Sequence, residues 1–156
     1  MKYTLKRSSS HKVEKFHNWN INELKLEGEE LIEVLKPYLT DAMEGILDPD
    51  TAGKKPDGYL NNLQSGRLGD FSIRYIVTAE DNDKVIGILI CLPDKEKIMH
   101  IYSLGVIKEY RKKGVASALL TRCINDMLEN DIDEVILDVH SDNIPARNLY
   151  SKFGFK

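Results

Sequence analysis

Residues 109–120, EYRKKGVASALL, combine groups that could bind a phosphate. Three cations precede a glycine, and an apolar pattern with helical spacing starts directly after it. The first turn of a helix offers N–H donors without intrahelical partners and about half a positive charge, so it attracts anions. A glycine and small side chains let the anion approach the backbone closely. The residues that would surround it are Arg111, Lys112, Lys113, Gly114, Val115, Ala116 and Ser117.

This stretch alone fits two interpretations. It is either a diphosphate-binding loop or a charged turn in which Gly114 only shapes the backbone and the cations are solvated. The phosphate-binding pattern GxxxxGK[ST] and the dinucleotide pattern GxGxxG do not occur in the chain. The surrounding elements must therefore decide between the two.

The composition is that of one globular domain, residues 1–156. Hydrophobic residues make up 42% and charged residues 30%, and the net charge of −3 gives no electrostatic reason to expect nucleic acid. The longest apolar run, 85–92, is too short to span a membrane, and the first residues lack the apolar region of a signal peptide. Cys91 and Cys123 have no metal-binding spacing, so we expect no metal and two buried thiols in a reducing cytoplasm.

The acidic residues are concentrated near the amino terminus. Nine acidic residues and two lysines lie between positions 23 and 50. This acidic segment is either a solvated helix face with no further role or a surface that attracts a cationic acceptor.

Residues 22–47 have the apolar spacing of a helix that Asn22 could cap and that Pro37 could kink. The breaker-rich residues 48–58 predict a loop, and 59–64 a short helix. Strand composition follows at 71–77, 85–92 and 98–106, separated by turn residues, which predicts an antiparallel meander.

Alternation along the third of these strands places His100, Tyr102 and Leu104 on one face. Residues 115–129 then predict a helix, 135–139 a buried strand, and 144–153 a helix with Pro145 in its first turn. Strand 98–106, helix 115–129 and strand 135–139 form a βαβ unit, so the last two strands should be parallel. The predicted fold class is α/β, with a mixed central sheet flanked by helices.

The block from Ile98 to Lys156 resembles the GCN5-related N-acetyltransferases, the GNAT superfamily. RKKGVA resembles their pyrophosphate loop, HIYSLGVIKEY their fourth strand, and LDVHSDNIPARNLYSKFGF their fifth strand and following helix. Order and spacing both agree. The resemblance implies the GNAT acyl-CoA N-acyltransferase fold and favours the diphosphate-binding interpretation of residues 111–117.

The resemblance also implies the reaction, which is acetyl transfer from acetyl-CoA to a primary amine of a protein N-terminus, a lysine or a small molecule. In that family the fourth and fifth strands splay apart around the pantetheine arm. By this mapping Leu104, Gly105 and Val106 would meet the arm, with a main-chain N–H near Leu104 polarising the thioester carbonyl. The Asn143 amide would also bind the arm, although Asn143 is equally suited to cap the next helix. Gly105 inside a strand suits a bulge or a close backbone approach.

Three residues are candidates for proton transfer. Tyr150 matches the family tyrosine beside the CoA sulfur, which would protonate or stabilise the departing thiolate, although an aromatic residue here could also simply pack in the core. His100 suits a general base because its ordinary pKa is near 6.5. Asp138 occupies a position where some family members carry a histidine, so it is the second candidate, as base or as partner of the incoming ammonium. Cys91 and Cys123 are poorly placed for a covalent acetyl intermediate, which favours direct attack by the amine in a ternary complex.

One feature departs from the family pattern. The family usually continues beyond the Gly-Phe of this block with a two-stranded hairpin, whereas this sequence ends at Lys156. Either the hairpin lies outside this sequence, or the sheet edge beyond strand 135–139 is completed in another way, for example by a second subunit in a homodimer. The alternative function is a non-catalytic CoA-binding or regulatory module that lacks an acceptor site.

Overall fold

The computed structural model describes residues 1–9, 12–13, 18–43 and 57–156. The predicted loop at 48–58 and the end of the first predicted helix, 44–47, fall almost wholly outside these ranges. The strands are β1 (Lys2–Ser8), β2 (Asn20–Glu23), β3 (Tyr75–Asp81), β4 (Lys84–Pro93), β5 (Ile98–Val106) and β6 (Glu134–His140). The α-helices are α1 (Gly28–Met43), α2 (Asp57–Gln64), α3 (Val115–Glu129) and α4 (Ile144–Lys152).

Six strands of the described residues form one mixed sheet in the order β1-β6-β5-β4-β3-β2. The predicted meander is β3, β4 and β5, which pair antiparallel, and β5 pairs with β6 in parallel. The βαβ unit built from β5, α3 and β6 is therefore confirmed. It places the start of α3 directly after the carboxyl end of β5, where the candidate phosphate loop lies.

The sheet separates two apolar layers. On one face, α1 and α2 pack leucines such as Leu31, Leu35 and Leu63 against alternate residues of β3 and β4. On the other face, α3 and α4 pack against the sheet through Leu119, Cys123 and Phe153, among others. We refer below to the α1/α2 face and the α3/α4 face of the sheet. Within the described ranges, every helix is too short or too polar to cross a membrane.

The edge beyond β6 is filled by the chain itself. β1 pairs antiparallel with β6 from Lys2 opposite His140 to Ser8 opposite Glu134. The expectation that this edge is completed in another way is therefore confirmed, and an amino-terminal strand, rather than a second subunit, occupies the position. A homodimer stays a prediction.

Two local predictions are wrong at the amino-terminal side of the fold. Asn22 does not cap a helix, because it lies in β2 opposite Thr78 of β3, and the helix begins at Gly28. Residues 71–73 form a 3₁₀ turn capped by the Asp70 side chain, so β3 starts at Tyr75 rather than Phe71. At the second place the Asp70 side chain accepts from the Ser72 N–H at 3.0 Å, and this local hydrogen bond favours a turn over strand pairing.

Candidate active site

The two central parallel strands separate at their carboxyl ends. Pairing between β5 and β6 runs from Ile98 opposite Glu134 to Ile101 opposite Leu137 and ends there. Beyond that point β5 stays paired with β4 as far as Val106, and β6 stays paired with β1 as far as His140. The facing edges of 102–106 and 138–140 thus border a gap in the sheet. Backbone N–H and C=O groups at such an edge can pair with an extended, amide-bearing ligand.

A β-bulge reorients the side chains next to this gap. Ile90 of β4 lies opposite Ser103 and Cys91 lies opposite Ile101, so Tyr102 is an extra residue in β5. Tyr102 and Ser103 both contact the α1/α2 face, while Leu104 packs on the α3/α4 face. The prediction that Leu104 shares a face with His100 is therefore wrong. The bulge is at Tyr102 and not at Gly105, which pairs regularly with Ile88.

The structure brings together two of the three candidate proton-transfer residues. His100 Nε2 lies 3.3 Å from Asp138 Oδ2, and the imidazole stacks on the Tyr102 ring at 4.0 Å between centroids. His100 is 9% exposed. Burial lowers the pKa of His100 below its ordinary value, while the charges of Asp138 and Asp94 act in the opposite direction. The imidazole is therefore mostly neutral at neutral pH, which is the form that can accept a proton.

Thr4 of β1 is a site residue that the motifs did not indicate. It lies opposite Asp138 in the β1–β6 register, and its hydroxyl donates to Asp138 Oδ1 at 2.7 Å. One carboxylate oxygen thus contacts Thr4 and the other contacts His100. The amino-terminal strand thereby fixes the orientation of a carboxylate beside the gap.

The candidate phosphate loop has the backbone geometry that an anion site requires. Gly114 is in the left-handed region with φ of 85°, Lys112 with φ of 63°, and α3 begins at Val115. The first intrahelical bond runs from Ala118 N–H to the Gly114 carbonyl, at 3.0 Å. The N–H groups of residues 115–117 precede it, and among the described residues no side chain caps this helix end. These donors therefore point toward a ligand position at the carboxyl end of β5.

The three cations of the loop have different roles. Arg111 is half-buried, and its Nε donates to the Val106 carbonyl at 2.9 Å, so it ties the loop to the end of β5. Lys112 and Lys113 are exposed, with the Lys113 ammonium 5.6 Å from the centroid of the Tyr110 ring. The two lysines are thus the cations that can move toward an anion.

Asn143 and Tyr150 both lie in contacts that serve the fold. The Asn143 side-chain oxygen accepts from Ala146 N–H at 3.3 Å, so the helix-cap interpretation is confirmed. The Nδ2 amide of Asn143 is the part that could donate to a ligand. Tyr150 is buried in the α3/α4 layer with its ring 5.9 Å from that of Phe155, edge to face. Tyr150 therefore approaches the sheet from the face opposite His100.

Hydroxyl groups on the α1/α2 face connect β5 to α2 and the segment after it. Ser103 Oγ donates to the Tyr59 hydroxyl at 2.7 Å, and the Tyr102 hydroxyl donates to the Leu68 carbonyl at 2.8 Å. Burial raises the pKa of Tyr59 and that of Tyr102, so both phenols stay protonated in this setting. These bonds tie the α2 region to β5 on the face of the sheet that carries His100.

The comparison with protein families agrees with this geometry. The model of the family described as "Acetyltransferase (GNAT) family" matches residues 39–155, which is most of the chain. The chain therefore belongs to the GNAT acetyltransferase family, and the predicted fold is confirmed. The predicted activity class, acetyl transfer to an amine, is confirmed with it.

The relatives include two archaeal proteins. An "N-alpha-acetyltransferase" of Sulfurisphaera tokodaii is 42% identical over 113 residues, which are 65% of this chain and 67% of that protein. One from Saccharolobus solfataricus is 31% identical over 114 residues, with the same coverage of both chains. Among solved structures, a Bacillus subtilis acetyltransferase in complex with CoA has a TM-score of 0.61 and 20% identity, over 89% of this chain and 77% of that one. The last likeness concerns the fold alone.

Proposed function

We propose that this acetyltransferase acts on the α-amine of a peptide or protein N-terminus, which attacks acetyl-CoA directly in a ternary complex. The observation that carries the proposal is the gap between β5 and β6. A neutral, buried histidine with its carboxylate partner lies where the strands separate, and an anion-binding helix end lies at the carboxyl end of β5.

The described residues suit acetyl-CoA, which has an extended arm with amides and a diphosphate. The backbone edge at Leu104, Gly105 and Val106 would pair with the arm, and the Asn143 amide would donate to it. The N–H groups of Val115, Ala116 and Ser117, with Lys112 and Lys113, would bind the diphosphate. A Cβ built at Gly114 would meet Trp19 Nε1 at 3.8 Å, an ordinary contact distance, so glycine is favoured here by its φ of 85° rather than by lack of space.

When bound, acetyl-CoA supplies a thioester carbonyl whose carbon forms a C–N bond with the amine while the C–S bond breaks and the thiol leaves. The Leu104 N–H, at the edge of the gap, would donate to the carbonyl oxygen and stabilise the charge that develops there. His100 would accept the proton that the amine loses, directly or through water, and Asp138 would stabilise the resulting imidazolium. Such base assistance is worth about 10²–10⁴-fold in rate.

Tyr150 would contact the leaving thiolate from the α3/α4 face of the sheet, opposite His100. Its ring is fixed by the α3/α4 layer, so its hydroxyl position is set by packing. We assign it the role of protonating or stabilising the thiolate, while His100 handles the amine. Because the strands separate at this point, groups on both faces can reach a thioester lying in the gap.

Two considerations favour an α-amine over a lysine side chain. Both archaeal relatives bear the name N-alpha-acetyltransferase. An α-amine with a pKa near 8 is partly neutral at pH 7, whereas a lysine amine near 10.4 is almost fully protonated and cannot attack.

We also place the protein in the cytoplasm, since its two cysteines are buried free thiols that suit a reducing compartment.

The test uses two peptides of identical sequence, one with a free α-amine and blocked lysines, the other with a blocked α-amine and free lysines. Thiol release from acetyl-CoA and the mass of each peptide are followed with the purified protein. We expect a gain of one acetyl group on the first peptide only. Acetylation of the lysine peptide alone would refute the α-amine assignment, and no thiol release with either peptide would refute acetyl transfer to peptides.

A further inference from the structure

Trp19 lies directly behind the candidate phosphate loop, although it is almost a hundred residues away in sequence. Its indole Nε1–H donates to the Lys113 carbonyl at 3.1 Å. Its ring packs edge to face on Tyr110 at 6.0 Å between centroids, and the Tyr110 hydroxyl donates to Asp81 at 2.8 Å. The strand after Trp19 is in turn fixed to α3, because Arg122 donates to the Ile21 carbonyl at 2.9 Å.

The bond to Lys113 controls a group that the cosubstrate would contact. The Lys113 carbonyl and the Gly114 N–H belong to one planar trans peptide, so they point in opposite directions. The first helical bond is accepted by Gly114, which leaves the Lys113 carbonyl outside the α3 ladder and available to Trp19. Holding this carbonyl toward the indole directs the Gly114 N–H away from it, to the side from which an anion can approach.

The backbone conformation around the Lys113–Gly114 peptide explains why its orientation needs an external contact. Lys112 and Gly114 both have positive φ, and a non-glycine residue in that region costs about 1–2 kcal/mol. A loop with two left-handed residues so close together needs external contacts to keep the two peptides between them in one orientation. Trp19 supplies one such contact to the peptide itself.

We propose that Trp19 is a positioning residue for the cosubstrate diphosphate, acting through the Lys113–Gly114 peptide. This inference rests on the proposed placement of the diphosphate at residues 111–117. It adds an amino-terminal residue to the cosubstrate site and assigns it a specific effect. Trp19 should matter for ligands that carry the diphosphate and not for ligands that have only the pantetheine arm.

The experiment measures by calorimetry the affinity of the full chain for acetyl-CoA and for S-acetyl-pantetheine, which lacks the diphosphate. Trp19→Phe keeps an aromatic ring on Tyr110 but removes the N–H donor. We expect it to bind acetyl-CoA about tenfold more weakly, the size of one charge-assisted hydrogen bond, and S-acetyl-pantetheine as the wild type does. Tyr38→Phe, which removes an aromatic hydroxyl on the α1/α2 face, is the matched control and should keep both affinities.

The possible outcomes distinguish the role of Trp19 from the placement of the diphosphate at residues 111–117. A wild type that binds both ligands equally well would overturn the placement of the diphosphate, and the role of Trp19 with it. A wild type that prefers acetyl-CoA, with Trp19→Phe keeping that preference, would overturn the role of Trp19 alone. Equal weakening of both ligands by Trp19→Phe would show a merely structural residue and would also overturn it.

A second measurement needs no variant, because Trp19 is the sole tryptophan of the sequence. Acetyl-CoA should change the intrinsic tryptophan emission of the wild type, and S-acetyl-pantetheine should leave it unchanged. An emission spectrum that saturating acetyl-CoA does not alter would contradict the proposed coupling between the bound diphosphate and Trp19.

Discussion

At the scale of single residues, the proposed role of His100 as a base depends on its protonation state. Burial removes water from the imidazole and penalises its charged form, which lowers its pKa. The neighbouring carboxylates of Asp138 and Asp94 oppose this effect without reversing it. A neutral imidazole with an adjacent carboxylate can take up a proton during the reaction, because the imidazolium that forms is stabilised by the carboxylate.

Replacing His100 by glutamine should therefore lower kcat by about 10²–10⁴-fold, the usual contribution of a general base. The KM for acetyl-CoA should stay near its wild-type value, since His100 lies on the α1/α2 face and away from the loop at 111–117. Steady-state kinetics with a peptide carrying a free α-amine measures both constants. Glu129→Gln is the control, because Glu129 is exposed at the end of α3 opposite the loop at 111–117. Equal rates for wild type and His100→Gln would remove His100 from the mechanism.

The lowered pKa also predicts how stability depends on pH. Below the ordinary pKa of 6.5, unfolded chains bind a proton at this histidine while the folded protein does not. The unfolded state then binds more protons, so stability falls as the pH drops through 6.5 and levels off below the lowered pKa. Urea unfolding at pH 7.5 and pH 5.5 should show a smaller loss of stability for His100→Gln than for the wild type. Identical losses in the two proteins would argue against a lowered pKa in the folded state.

At the scale of secondary structure elements, β1 has two functions. It pairs along the whole of β6 and closes that edge of the sheet, and it places the Thr4 hydroxyl on Asp138. The tail is fixed to it as well, since Lys6 and Lys156 exchange two backbone hydrogen bonds of 3.0 and 2.9 Å. A strand that holds the edge of the sheet therefore also orients a side chain beside the gap.

Thr4→Val keeps a β-branched side chain in β1 but removes the hydroxyl. We expect kcat to fall about threefold to tenfold, the value of one hydrogen bond, with little change in the KM for acetyl-CoA. Thr4→Ser should restore the rate because it restores the donor. If the valine and serine variants have equal kcat, the hydroxyl has no role in orienting Asp138.

Gly114 allows a second element-scale prediction, at the start of α3. Its φ of 85° is a conformation that costs alanine about 1–2 kcal/mol, so Gly114→Ala should lower the free energy of unfolding by that amount. Gly58→Ala is the control, because Gly58 lies in α2 with no atom within 4 Å of a Cβ built there, and it should be neutral or stabilising by up to about 1 kcal/mol. Urea unfolding measures both. A Gly114→Ala protein as stable as the wild type would contradict the left-handed conformation.

The elements differ in how well the sequence predicts them, for physical reasons. The predicted bounds of β5 and α3 agree with the structure, because each carries a strong apolar period. β1 was not predicted, since Leu5 is its one aliphatic residue and most of its side chains are exposed. The bulge at Tyr102 does not change the hydrophobic pattern of the sequence. The predicted faces of Ser103 and Leu104, which follow it, are therefore wrong. Thr4 and Trp19 reach the site through pairing and packing over long sequence distances, which local patterns do not record.

At the scale of the whole molecule, the sheet is continuous at one end of β5 and divided at the other. Beyond Ile101, β1, β6 and α4 form one part of the fold, and β5, β4, β3 and β2 form the other. The parts stay joined by the four residue pairs from Ile98 to Ile101 and by the α3/α4 layer. An extended ligand that pairs with both edges of the gap would restore the missing ladder, so binding should stabilise the fold as a whole.

Acetyl-CoA at about 100 times its Kd should therefore stabilise the folded state by about 2.7 kcal/mol and raise Tm by about 5–10 °C. Hydrogen exchange locates the effect. Within residues 102–106 and 138–140, the amides that are not bonded to β4 or β1 point into the gap and should gain the largest protection, because they acquire a pairing partner only when the ligand is bound. Amides of residues 77–80 in β3 are the internal control, since these residues already pair with both β2 and β4 and lie away from the gap. A rise in Tm without added protection at 102–106 would place the cosubstrate outside the gap and would contradict the proposed site.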